Sequence, residues 1–192
     1  MAAQLTIDRQ YFEAMYSESP DPWDFDGSAY ERRKFALTLA ALPRQNYRRA
    51  FEPGCANGAF SELLAPRCDE LICAELMSKV AARAAGRLSR FPDTSVYCKA
   101  IPQWWPTGTF DLMVLSEVLY YLTPAGMERA MSLIERSLDD GGHVVSVHYT
   151  LETNYPQSGE EVGERLRRAA WLKEIGRYRE RAFELSVLER YS

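Results

Sequence analysis

The sequence has no run of about eighteen apolar residues, the length that a membrane-crossing helix requires, and its opening segment MAAQLTIDRQYF lacks the charged-then-apolar order of a secretory signal. A cytoplasmic protein with no membrane partner is the expectation. Basic excess is missing too: 23 Lys and Arg stand against 27 Asp and Glu, a formal net charge of −4. Sequence-independent nucleic-acid binding draws on a basic surface, so nucleic acid is disfavoured as a partner. Short basic pieces at 32–34, 48–49 and 165–168 are interleaved with acids and apolar residues and read as solvated faces. Only four cysteines occur, Cys55, Cys68, Cys73 and Cys98, at spacings that match neither paired zinc ligands nor a redox C-x-x-C. Reduced, mostly buried thiols and no metal are expected. Repeats, low-complexity stretches and linker-like segments are also absent, which leaves a single domain of 192 residues, long enough to cover both faces of a sheet.

What is present alternates. TIDRQYFEAMYS carries apolar residues at helical spacing, and the prolines at 20 and 22 then interrupt any helix. Ser28 and Glu31 make an S-x-x-E capping box that opens the helix SAYERRKFALTLAAL, closed by Pro43. RRAFE reads as a strand, followed by a glycine turn and the helix start SELLA, then LICAE as a strand and SKVAARAAGRL as a helix. TSVYCK and FDLMVLS are the third and fourth strands. Thr123-Pro124 caps a helix running to a DDGG stop, and HVVSVHY is the fifth strand. A second capping box, Ser158 with Glu161, opens a helix toward Ala170. WLKEIGRY and ERAFELSVLERY are separated by too little chain for a helical crossover and predict an antiparallel pair. This is the order of an α/β fold, a mostly parallel sheet wrapped by helices.

In such sheets ligands sit beyond the carboxyl ends of the strands where strand order switches, beside the first strand. The first strand ends at Glu52, ahead of Gly54, Ala56 and Gly58, and the second ends at Glu75, at the spacing of an acid that accepts from ribose hydroxyls. Glycine turns of this kind usually cradle phosphate, which Glu52 would repel. A ligand with a ribose, a primary ammonium and no phosphate makes the same carboxylate an asset, and S-adenosyl-L-methionine has those groups. The alternative is a tight strand-to-helix turn that binds nothing.

The segments DPWDF, SAYERRKFALTLAALP, YRRAFEPGCANG, FDLMVLSEVLYYL, GGHVVSVHY and YPQSGEEV together resemble the NodS-like branch of class I S-adenosylmethionine-dependent methyltransferases across nearly the whole chain. The resemblance implies a Rossmann-like fold, a seven-stranded sheet with an antiparallel last strand, and a helical lid over 1–45, a cofactor-binding core over 46–150 and a C-terminal helix with a strand pair over 151–192. It implies methyl transfer to an amine of a small-molecule acceptor, in the namesake the amino group of a chitooligosaccharide, with S-adenosyl-L-homocysteine as product. By position it places Glu52, Gly54, Ala56 and Gly58 along the methionine part and Glu75, with Leu76 beside it, on the ribose. Ala100 and Ile101 fall at the adenine, and Ser116 and Glu117 where the methionyl end meets the acceptor. Two positions depart from the pattern: Ala100 stands where the family motif usually has Asp, and Gly163 where a histidine is expected.

Candidate roles follow. His148, at the end of the fifth strand, is a base for the acceptor or a packed strand-end histidine. Glu117 attracts a cationic acceptor or is a helix-start charge. Tyr120 and Tyr121 wall the acceptor pocket or belong to the core. Trp23, Tyr30 and Arg33 form a lid in which an aromatic face attracts the sulfonium and a guanidinium holds the carboxylate, or they pack an N-terminal hairpin. Trp104-Trp105 read as core and edge packing, with a stacking platform for a sugar ring as the alternative. An O-methyltransferase, a non-catalytic module binding S-adenosylmethionine or S-adenosylhomocysteine, and a dehydrogenase remain as alternatives.

Overall fold

The computed structural model describes residue 7 and residues 9–191. Thr6 and Asp8 of the expected opening helix lie outside the described residues, as do residues 1–5 and 192. The chain begins with helices α1 (Arg9–Glu18) and α2 (Ala29–Ala40) and then alternates: β1 (Ala50–Pro53), α3 (Ala59–Leu64), β2 (Leu71–Glu75), α4 (Ser78–Leu88), β3 (Thr94–Cys98) and β4 (Phe110–Ser116). It continues through α5 (Pro124–Ser137), β5 (Leu138–Tyr149) and α6 (Gly159–Arg167) to the hairpin β6 (Leu172–Arg179) and β7 (Phe183–Arg190).

The seven strands form one sheet in the order β3-β2-β1-β4-β5-β7-β6, as expected of a Rossmann-like class I methyltransferase fold. β7, the last strand, runs antiparallel to β5 and to β6, and the other pairs are parallel. β1 bonds β2 on one side and β4 on the other, so strand order reverses at β1 and opens a crevice at the strand ends.

The central strands are buried on both faces, which is why β1 and β2 read as continuous apolar runs. Along β4, Leu112 and Val114 join the core shared with α2, α3 and α4, while Met113 and Leu115 join that shared with α5 and α6. The two-residue period thus builds a three-layer sandwich. The tryptophan pair packs as expected: Trp105 lies against Phe51 and donates to Ser137 Oγ at 2.9 Å, and Trp104 stacks by Tyr97. The β6 edge carries Lys173, Glu174, Arg177 and Arg179 in the open, with an irregular register between Glu174 and Gly176.

Beyond small shifts at other element ends, three features differ from expectation. α6 ends at Arg167 rather than near Ala170. Asp139–Gly142, expected as a helix stop, belong to β5, whose register against β4 shifts there; Gly141, at φ 71°, supplies the left-handed step. The Ser28 box forms only by half. Ser28 Oγ accepts from Glu31 N at 3.3 Å, but the Glu31 carboxyl turns inward instead of reaching back, whereas the Ser158–Glu161 box is complete. All four cysteines are free, with Cys55 and Cys73 buried, Cys68 half-buried and Cys98 exposed. Among the described residues no helix is long and apolar enough to cross a membrane, and no cluster of His, Cys, Asp and Glu is placed to hold a metal.

Two glycines test the packing. Nothing lies within 4 Å of a Cβ built at Gly86, in the last turn of α4, so Gly86→Ala should stabilise the fold by up to about 0.5–1 kcal/mol in urea melts. A Cβ at Gly159 would sit 2.1 Å from the Tyr149 carbonyl oxygen, so Gly159→Ala should cost roughly 3 kcal/mol or more, enough to reduce the soluble yield.

Candidate functional site

A cavity of about 440 Å³ opens beyond the carboxyl ends of β1, β2 and β4. One half is floored by the turn after β1. Its backbone doubles back tightly: Gly54 N and Cys55 N both bond Ala74 O, at 2.7 and 3.1 Å. Gly54 sits at φ +74°, and a Cβ there would lie 2.9 Å from Val118 Cγ2. Glycine is required on both counts. Ala56 also holds a positive φ, 48°, and its amide is fixed by Glu75 Oε2 at 3.1 Å, while Glu75 Oε1 accepts from Met77 N at 2.8 Å. Burial raises the Glu75 carboxyl against the pull of these amides.

Glu52 is 3% exposed. It faces the Ser61 hydroxyl and the Cys73 thiol, whose Sγ lies 3.7 Å from Oε2, and among the described residues no cation pairs with it. Burial pushes its carboxyl up to about 7, opposed only by those two weak donors.

The other half is floored by the ends of β4 and β5 and roofed by α2. Here Lys34, 3% exposed, hydrogen-bonds Glu31 Oε1 at 3.0 Å and Glu117 Oε1 at 2.7 Å. Glu117 holds a left-handed backbone, φ 52°, and its Oε2 accepts from Tyr120 Oη at 2.7 Å and from Tyr149 N at 2.8 Å. Burial would raise the Glu117 carboxyl, but Lys34, His148 and the Tyr120 hydroxyl outweigh it and hold it low. Glu31 has the opposite balance: burial outweighs Lys34 and raises it.

Aromatic side chains close the cavity from the N-terminal side. Trp23 packs between Tyr16 and Phe25, and Phe12 meets Tyr121 edge-on at 5.0 Å. Arg9 donates to Leu76 O at 3.2 Å, and Asp26 ties the loop before α2 to Arg87 and Asn57.

Of the residues singled out by sequence, Trp23, Tyr30, Glu52, Gly54, Ala56, Glu75, Leu76, Ala100, Ile101, Ser116, Glu117, Tyr120 and Tyr121 line this one cavity. Three do not. Gly58, at φ +79°, caps α3 with its Cα face against Ala84. Arg33, placed in the lid by sequence, points instead to the far hairpin, where it pairs with Glu180 and donates to Tyr178 Oη at 3.0 Å. His148 is 1% exposed and lies behind Tyr120, its ring 5.2 Å away. Its Nδ1 meets Ser146 Oγ at 3.0 Å, and burial depresses it to about 4. His148 is thus packed beside the cavity rather than lining it, with Nε2 buried and without a hydrogen-bond partner among the described residues. Gly163 does not line the cavity either: a Cβ there would meet Arg167 at 2.9 Å and Glu184 at 3.0 Å.

Sequence reasoning passed over Glu31 and Lys34. Glu31 carried a capping signature that accounted for it, and Lys34 sat in a basic run. The signal that was present is their i, i+3 spacing on the face that also presents Phe35 and Thr38 to the interior.

The family model described as Nodulation protein S (NodS) matches residues 11–144. Nodulation protein S of Rhizobium tropici is 37% identical over 127 residues, covering 65% of this chain and 53% of that protein. The chain spans about half the length of the curated relatives it matches. Among solved structures, the N-methyltransferase NodS from Bradyrhizobium japonicum WM9 in complex with S-adenosyl-L-homocysteine superposes with a TM-score of 0.86 at 29% identity, over 95% of this chain and 98% of that one. A putative methyltransferase from Pseudomonas syringae, 37% identical, gives 0.76 over 85% of this chain and 100% of that one. The chain belongs to the Nodulation protein S (NodS) family.

Proposed function

We propose that this single domain is a methyltransferase that binds S-adenosyl-L-methionine and moves its methyl group to an amine nitrogen of a small-molecule acceptor. The observation that carries this reading is Glu52, a buried carboxylate without a cation beneath a glycine turn. It repels the phosphates that such turns otherwise hold and suits the α-ammonium of a methionyl group. Glu75 still has room for ribose hydroxyls, since each carboxylate oxygen accepts more than one hydrogen bond. Ala100 offers the adenine no side-chain acceptor, so Ile101 and backbone groups serve there. The complex of the Bradyrhizobium relative with S-adenosyl-L-homocysteine supports the same ligand.

The cofactor supplies an activated methyl on a sulfonium, and no metal or covalent enzyme intermediate is needed. The protein's part is to align nucleophile, carbon and leaving sulfur and to exclude water, work that the aromatic cover from Phe12 to Trp23 is placed to do. An amine is favoured over a hydroxyl because the cavity is lined by four carboxylates and only two lysines, and because neither of the chain's two histidines reaches it.

The titration of Glu52 gives two tests. A cationic group beside it requires the ionised form, so binding below about pH 7 must release its proton. In calorimetry S-adenosyl-L-homocysteine should bind roughly tenfold more tightly at about pH 8 than at about pH 6. Glu52→Gln should bind more weakly, with no such slope. A titration without heat at any pH would reject the reading. Without ligand, the sign for stability is the reverse. Folding raises this carboxyl from 4.5 to about 7, so stability falls as pH rises through that window. Glu52→Gln should therefore melt higher than the parent at about pH 8, by up to about 3 kcal/mol, with the gap closing toward about pH 5.

A further inference from the structure

We propose that Glu31, carried on α2, is the residue that receives the acceptor amine and takes up its proton; this rests on the methyltransferase reading above. Glu31 is 6% exposed and lines the cavity; Lys34 Nζ lies 3.0 Å from both carboxylate oxygens but is aligned to donate to Oε1, so Oε2 is ion-paired yet accepts no hydrogen bond among the described residues. Buried oxygens in this state call for a donor. The adjacent residue, Tyr30, also lines the cavity, and its hydroxyl is buried with no hydrogen-bond partner among the described residues. An amine that donates to Glu31 and accepts from or donates to Tyr30 completes both.

Charge points the same way. Lys34 lies between two carboxylates, so the Glu31–Lys34–Glu117 group carries one net negative charge, which an incoming ammonium neutralises. Glu117 is not free for that task, because Lys34, Tyr120 and the Tyr149 amide already occupy it. The charged groups facing Glu31 are Lys34 on α2, Glu117 after β4 and Asp21 in the loop before α2. Desolvation is the largest influence on its carboxyl and raises it, which suits a group that must accept and later release a proton.

The step balances. An N–H proton of the bound ammonium passes to Glu31 and leaves a lone pair on nitrogen. That pair forms the N–C bond as the C–S bond breaks, its electrons staying on sulfur as a thioether. The methylated nitrogen departs as a secondary ammonium, and Glu31 returns its proton to solvent. The acceptor class is a primary amine whose nitrogen stands clear of its bulk, able to reach past Tyr121 and Tyr155, which pack 4.7 Å apart at the same cavity.

The test measures homocysteine-linked turnover with glucosamine and 2-phenylethylamine as amine probes and glucose and phenol as oxygen controls. The parent should methylate an amine and neither control. Glu31→Gln should lower kcat on the order of 100-fold and lose the acidic limb of the kcat–pH profile, with S-adenosyl-L-homocysteine binding within about twofold of the parent. Glu31→Asp should recover part of the rate, and His148→Gln should stay within roughly threefold of the parent. Should Glu31→Gln fold poorly, Tyr30→Phe decides: the amine KM should rise roughly tenfold with cofactor binding intact. A working parent with an unchanged Glu31→Gln profile, or an unchanged Tyr30→Phe KM, overturns the assignment alone. A parent that binds the homocysteine product yet turns over no amine overturns the amine reading and the assignment with it.

Discussion

Folding carries four carboxylates into a cavity that holds two lysines to answer them, and the rest of the site follows from how that deficit is met. A buried charge without a partner costs several kcal/mol. Glu117 is met in full, by a lysine, a phenol and an amide. Glu75 is met by two backbone amides. Glu31 is met by half, and Glu52 hardly at all. The compensation therefore thins out at two points, one on each side of the switch in strand order, and these are the points that suit two positively charged groups.

The backbone bends to keep this arrangement. Glu117 adopts a left-handed conformation that non-glycine residues avoid, and it does so immediately after β4, where the turn aims its carboxylate at Lys34 and at the Tyr149 amide together. Ala56 does the same across the crevice, presenting its amide to Glu75. Strained residues cluster here because the sheet, cored by Phe51, Leu112 and Met113, is rigid enough to hold them. The helical cover is tied down by ions and aromatic edges: Asp26 to Arg87, Arg33 to Glu180, Phe12 to Tyr121.

The fold was legible because its signals are local. Apolar runs such as LICAE and FDLMVLS occur as strands with the expected ends, the Ser158–Glu161 box forms in full, and the glycine turn lies beside the switch point. The half of the cavity floored by the turn after β1 was legible for the same reason, since it is built from strand ends whose direction follows from parallel pairing. The half roofed by α2 was not. The i, i+3 spacing puts Glu31 and Lys34 on one face of α2 with Phe35 and Thr38, but how far that face rolls toward the cavity, and Arg33 away from it, is set by the packing of the helix on the sheet. His148 misled because a strand end alternates between open crevice and covered face, and Tyr120 covers it. The Gly141 step, which draws Asp139–Gly142 into β5, hid behind a glycine pair that resembles a helix stop.

The outer strand of the sheet has a consequence for crowded solutions. An uncovered strand presents unpaired peptide groups that recruit a foreign strand. β6 answers with Lys173, Glu174, Arg177 and Arg179 standing in water and with a kinked register at Glu174–Gly176. A visiting chain would have to strip water from several guanidinium and ammonium groups and follow a ladder that skips a rung. That side of the molecule is thereby guarded against fibrillar stacking, at no expense to the crevice beside β1, four strands away.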